Sequence, residues 1–147
     1  MGQRRRAREC ALQMLFQVDL SAAPVEEVFG VFWEGQTVPS EVRDFAERLV
    51  RGVQREQALL DRWIGEASEH WKIERMAVVD RNVLRIAAYE LLFERETPAA
   101  VVLNEAIEIA KKYGSAESAS FINGVLDAIR RRAAGDRAEP PPRAEPR

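Results

Sequence analysis

The sequence predicts an all-α fold, a helical bundle. Three observations carry the prediction. Apolar residues recur at three- and four-residue spacing, helix start and stop signals bracket those runs, and strand alternation, hairpin dipeptides and internal repeats are absent. The 147 residues fit one domain, or two small helical subdomains sharing a core, and a hydrophobic share of 46% is enough to fill it.

Residues 4–20 set Ala11, Met14, Leu15 and Val18 at i, i+3, i+4, i+7 spacing. Leu12 and Phe16 widen that stripe, so the first helix is expected to be buried on more than one side. Pro24 stands near the first position of a second helix running to about Glu34, with Val25, Val28, Phe29 and Phe32 inward and Gly35 ending it. Pro39-Ser40 opens a third stretch in which Val42, Phe45, Leu49, Val53, Leu60 and Ile64 recur at helical spacing. Gly52 and Gly65 are the places where it is expected to bend or end. Residues 66–76 lose the pattern and read as a connector anchored by Trp71 and Ile73. From Ala77 to Phe93, the run Val79, Val83, Leu84, Ile86, Ala87 and Leu91 marks a central buried helix.

Residues 98–124 hold two further helices joined at one glycine. Thr97 is expected to cap the first, and Pro98 fits its opening turn because the missing N–H is an orphan there anyway. Lys111 and Lys112 complement the negative end of the dipole, Gly114 is expected to supply a left-handed C′ residue, and Ser115 to cap the next helix. Ile122, Val125, Leu126 and Ile129 give that last helix its core face, and Arg130, Arg131 and Arg132 close it. After Gly135 the run DRAEPPPRAEPR has no apolar anchor, and 135–147 reads as a disordered, Pro-rich tail.

Composition excludes several classes. Charged residues make up 31% of the chain yet nearly balance at a net charge of -2, so a polyanion site must come from local clustering. A single cysteine, Cys10, rules out an internal disulfide and suits a reducing compartment. With one cysteine and one histidine, His70, a zinc site from soft ligands cannot be assembled, and no metal or cofactor is expected. No apolar run reaches the length of roughly 20 residues that spans a bilayer, and no signal peptide follows the basic start; a cytoplasmic protein without a membrane role is expected. Gly-rich phosphate loops, nucleophile elbows and metal-ligand spacings are missing, which argues against an enzyme.

The strongest electrostatic feature is Arg4, Arg5, Arg6 and Arg8. Cations at a helix N-terminus oppose the macrodipole, so stability alone does not explain them; phosphate neutralisation does, and a solvated, frayed terminus is the alternative. Phe121 falls on the flank of the last helix's core stripe, beside Glu117 and Gly124. An aromatic there suits base stacking, or else packs under a neighbouring helix. Asp80, Arg81 and Arg85 lie along one side of the central helix; they read as structural ion pairs or a protein-binding surface, and Glu105 is a candidate partner for Arg85. Trp33, Trp63 and Trp71 read as core anchors.

These motifs resemble a known family. RRRARECALQMLFQVDLS at 4–21, DRNVLRIAAYELL at 80–92 and VVLNEAIEIAKKYGSAESASFINGVLD at 101–127 are similar, in order and spacing, to the NusB family of transcription antitermination factors. The resemblance runs from about Arg4 to Arg132; residues 22–76 share only the helix pattern, and the tail lies outside it. It implies a bundle of about seven helices in two packed subdomains, about 4–68 and 73–133, within one RNA-binding domain over 1–134. It implies binding of boxA RNA of rRNA leader transcripts together with ribosomal protein S10 (NusE). That complex joins other Nus factors on RNA polymerase and suppresses premature termination.

Carried over by motif, Arg4, Arg5, Arg6 and Arg8 match the RNA-contacting segment, and Glu117 and Phe121 match positions near the RNA. Asp80, with Arg81 beside it, matches the side facing S10. Ser120 stands where some relatives carry lysine, which weakens one phosphate contact. Two other readings compete: a helical protein-interaction module, a homodimer without a direct RNA role, and a detached accessory domain of an RNA methyltransferase. The second lacks any cofactor-binding strand–turn–helix within the chain.

Overall fold

A computed structural model describes residues 2–69 and 71–135. His70 and the stretch 136–147, which holds all but the first residue of the expected tail, lie outside the described residues. Seven α-helices and one 3₁₀ turn make up the described chain, with no strand among them. They are α1 (Gln3–Ser21), α2 (Val25–Trp33), α3 (Ser40–Arg55), α4 (Gln57–Ala67), α5 (Val78–Phe93), α6 (Ala99–Tyr113) and α7 (Ser118–Gly135), and the 3₁₀ turn is Ile73–Arg75. Gly135 therefore belongs to the last helix.

The central helix organises the bundle. α5 touches α1, α3, α4, α6 and α7, and its residues 82–90 are all buried. Polar pairs fix its direction against α1: Arg8 meets Glu90 at one end, and Asp19 meets Asn82 at the other, so the two helices run antiparallel. α6 lies along α1 in the parallel sense, joined by Arg5–Glu105, Glu9–Lys112 and Gln13–Tyr113. Buried Met14, Leu49, Leu60, Leu84, Ile122 and Leu126 come from five helices and form one continuous apolar cluster.

Several local expectations need correction. The third helical stretch is two helices broken at Glu56, where φ is -104° and ψ 17°; neither glycine ends it. Gly52 instead lets α5 approach, since a Cβ there would lie 2.3 Å from the Tyr89 ring. α1 is buried on more than one side, residues 7–12 being covered all round, but Phe16 is 40% exposed and does not widen the stripe. Thr97 does not cap α6: Pro98 is the N-cap and its carbonyl takes the Val101 and Val102 N–H groups. Gly114 is extended, at φ -100° and ψ -168°, and not left-handed. Its reason is space, because a Cβ would sit 2.5 Å from Ser118 Oγ and 2.9 Å from the Ala110 carbonyl oxygen. Arg85 pairs with Asp61, through Nε at 2.8 Å and Nη2 at 2.9 Å, and Glu105 serves α1 instead.

Candidate nucleic-acid interface

The four arginines near the start of α1 divide into two kinds. Helical spacing turns Arg5 and Arg8 towards the bundle and leaves Arg4 and Arg6 exposed. Arg5 donates through Nε and Nη2 to the two oxygens of Glu105, at 2.8 and 2.7 Å. Arg8 is 4% exposed and makes the same two-bond fork on buried Glu90, at 2.7 and 2.8 Å, with Nη1 a further 3.7 Å from Glu105. The Arg5 hydrogen bonds, and the charges of Arg5 and Arg8, hold the Glu105 carboxyl below its ordinary pKa against the opposing effect of burial. Two of the four arginines expected at phosphates are thus already committed to carboxylates. Arg4 lies 3.8 Å above the Phe45 ring, and neither it nor Arg6 makes an ion pair among the described residues.

At the start of α7, Gly114 and Ser118 set the geometry. The Ser115 N–H donates to Ser118 Oγ at 2.9 Å, a reach-back of the capping-box kind with serine in the acidic residue's place. Ser118 Oγ donates in turn to Asp80 Oδ1 at 2.7 Å, tying α7 to the first turn of α5. The Ser115 hydroxyl meets only Ser118 Oγ, at 3.2 Å, and the Ser118 N–H goes to the Ser115 carbonyl, so the expected Ser115 side-chain cap does not form. The turn leaves Glu117 exposed and Phe121 half-buried on the outer side.

Beside them opens a cleft of about 250 Å³ lined by Trp71, Arg75, Asp80, Ser115, Glu117 and Phe121. The Trp71 and Phe121 rings meet edge to face, 6.2 Å between centroids at 74°. Arg81 points elsewhere, to Asp19 at 3.4 Å, next to the Asn82–Asp19 hydrogen bond of 2.9 Å.

The fold thus gathers Asp80, Glu117 and Phe121 at one place and the arginines at another. Arg8 meets α5 at Glu90, ten residues from Asp80, which is about 15 Å along the helix axis. Sequence reasoning missed Trp71 and Arg75 as members of the cleft, and assigned Trp71 to the core. One signal was available: Trp71 stands where apolar periodicity fails, so no helix face exists for it to join. Among the described residues, no group of His, Cys, Asp and Glu side chains could hold a metal ion, and no helix is long and apolar enough to cross a membrane.

Comparison with known proteins extends this geometry. The model of the NusB family matches residues 5–131. The transcription antitermination protein NusB of Sorangium cellulosum is 49% identical over 129 residues, covering 88% of this chain and 92% of its own. That of Desulfatibacillum aliphaticivorans is also 49% identical, covering 88% and 90%. Among solved structures, T. maritima NusB superposes with a TM-score of 0.80 at 39% identity, over 87% of this chain and 90% of its own. A structure of antitermination factors NusB and NusE in complex with dsRNA superposes with a TM-score of 0.81 at 29% identity, over 90% of this chain and 98% of the matched one.

Proposed function

The chain belongs to the NusB family, and from that membership we propose that it is a transcription antitermination factor binding boxA RNA of rRNA leader transcripts together with ribosomal protein S10 (NusE). The complex joins other Nus factors on RNA polymerase and suppresses premature termination. In this reading the protein works in the cytoplasm, catalyses nothing and needs no cofactor. The observation that carries the reading is the fit of nearly the whole bundle to a NusB chain in complex with NusE and RNA.

The site follows from how each side chain is held. Arg4 and Arg6 neutralise phosphates directly, being exposed and free of carboxylates among the described residues. Arg5 joins them by exchanging Glu105 for a phosphate, a swap between two acceptors that fit the same guanidinium fork. Arg8 contributes from beneath, holding α1 on α5 through Glu90. Phe121 offers its ring to a base and Glu117 accepts from the base edge, while Asp80 and Arg81 belong to the surface that S10 covers.

A titration of a boxA oligomer, with and without S10 and at two salt concentrations, tests the reading. Tight binding that needs S10 and weakens with salt is expected. Equal affinity for boxA and a scrambled oligomer, with S10 present, would refute it. Sedimentation of a dimer indifferent to both ligands would favour the homodimer instead.

A further inference from the structure

Trp71 is left in solvent while the other two tryptophans are buried: it is 53% exposed, against 4% for Trp33 and 6% for Trp63. Its backbone is nonetheless fixed. The Trp71 N–H donates to the Ser68 carbonyl, and the Ser68 hydroxyl donates to the Trp71 carbonyl oxygen, both at 3.2 Å. The backbone from which the ring projects is therefore set before binding, which lowers the ordering cost of using it. Together with the Phe121 ring beside it, the exposed Trp71 ring makes an apolar patch whose burial by a ligand would be favourable.

What covers it is specified by its surroundings. Trp71 and Phe121 form two walls of the cleft at 74° to one another, so a flat group stacked on one ring faces the edge of the other. Along the remaining sides stand Arg75, Glu117, Asp80 and Ser115. Arg75 and Glu117 make no ion pair or side-chain hydrogen bond among the described residues, so a cation and an acceptor are both available. A flat ring, N–H donors on its edge and an attached anion together describe a nucleotide; an apolar side chain of a protein would use the rings alone and leave both charges unanswered.

We propose that this cleft takes one unstacked base of single-stranded RNA, with Trp71 as its stacking platform, Phe121 as the edge wall, Glu117 accepting from a base N–H and Arg75 facing the neighbouring phosphate. The assignment rests on the RNA-binding function proposed above and adds Trp71 and Arg75 to it. Base–aromatic stacking of ordinary strength makes Trp71→Ala weaken RNA binding by about 5- to 160-fold. Trp71→Phe retains most of the affinity, because a smaller π-face still stacks.

The experiment is a double-mutant cycle on the S10 complex, pairing Trp71→Ala with single abasic substitutions along the boxA oligomer. One abasic position should cost the wild type the same factor as Trp71→Ala and cost the variant nothing further. Thermal melting of each free variant shows whether the fold is intact, and Trp71→Leu, which keeps apolar bulk without a π-face, carries the comparison if Trp71→Ala does not fold. If wild-type protein binds boxA and every abasic position costs Trp71→Ala as much as wild type, the cleft assignment is wrong and the antitermination reading stands. If wild type ignores boxA altogether, both are wrong. Concentration-dependent quenching of exposed tryptophan without RNA would assign the cleft to a second copy of the chain and overturn the proposal.

Discussion

Arg8 and Glu90 form an ion pair with both partners in the interior: their side chains are 5% and 1% exposed, and two parallel hydrogen bonds of 2.7 and 2.8 Å join them. The pair clamps the beginning of α1 to the end of α5. It also ends the apparent uniformity of the arginine run, whose members differ in chemistry although they share a residue type.

Removing one partner of such a pair strands the other charge in the core. Arg8→Ala should therefore destabilise the protein by about 3–5 kcal/mol, measured as the loss in urea-unfolding free energy. Arg8→Lys should recover only part, since a point-like ammonium cannot make the planar fork. A variant that stays as stable as wild type while losing RNA affinity would make Arg8 a direct RNA ligand after all.

Arg4 and Arg6 should behave in the opposite way. Exposed substitutions of this kind change stability by about 0.5 kcal/mol or less, and Arg4 has a little more to lose from its position over Phe45. In RNA binding, every phosphate that goes without its arginine makes the salt dependence shallower by about 0.7 for a single strand, so Arg4→Ala with Arg6→Ala should reduce the log–log slope by about 1.4. Titrations across a salt series check this, and an unchanged slope would remove both residues from the interface.

What could be read in the sequence was what depends on local periodicity. Val79, Val83, Ile86 and Ala87 announce the central helix because they share one face of a 3.6-residue period, whatever they pack against. Arg85 shows where that reading stops. Its burial implies a carboxylate, but Asp61 and Glu105 both qualify, and only the placement of α4 against α5 selects Asp61. The division of the arginines was hidden for the same reason, as it depends on Glu90 and Glu105 arriving from elsewhere. Trp71 was hidden differently: hydrophobicity predicts burial on average, and a half-exposed tryptophan departs from that average where something else has shaped the surface.

Glu105 gives the acid limb of stability a defined contributor. Its folded pKa lies below the ordinary value, chiefly through the Arg5 hydrogen bonds, so the unfolded chain takes up the proton first as pH falls. The stabilisation is present in full above the unfolded value, near about 4.3, and is lost as pH drops through the depressed folded value. Urea midpoints followed from pH 7 to pH 3 should fall less steeply in Glu105→Gln than in wild type. Parallel curves would show that Glu105 titrates alike in both states.

Two glycines of the last helical pair should respond to alanine with opposite signs. Gly124 lies within α7 with open space around its Cβ position, so Gly124→Ala should stabilise the protein by about 0.5–1 kcal/mol by restricting the unfolded chain. Gly114 has an extended φ that alanine adopts freely, and the same entropic gain applies. There, however, the new methyl would meet Ser118 Cβ at 2.7 Å and Oγ at 2.5 Å, and Ser118 is buried and bonded to both Asp80 and Ser115. It cannot yield without opening those bonds, and overpacking of this kind costs about 1–3 kcal/mol. The net effect of Gly114→Ala should be a loss of stability, with weaker RNA binding wherever α7 shifts and carries Glu117 and Phe121 away from Trp71. Calorimetric melting of the two variants decides the matter, and a Gly114→Ala protein as stable as Gly124→Ala would show that close packing does not keep glycine at 114.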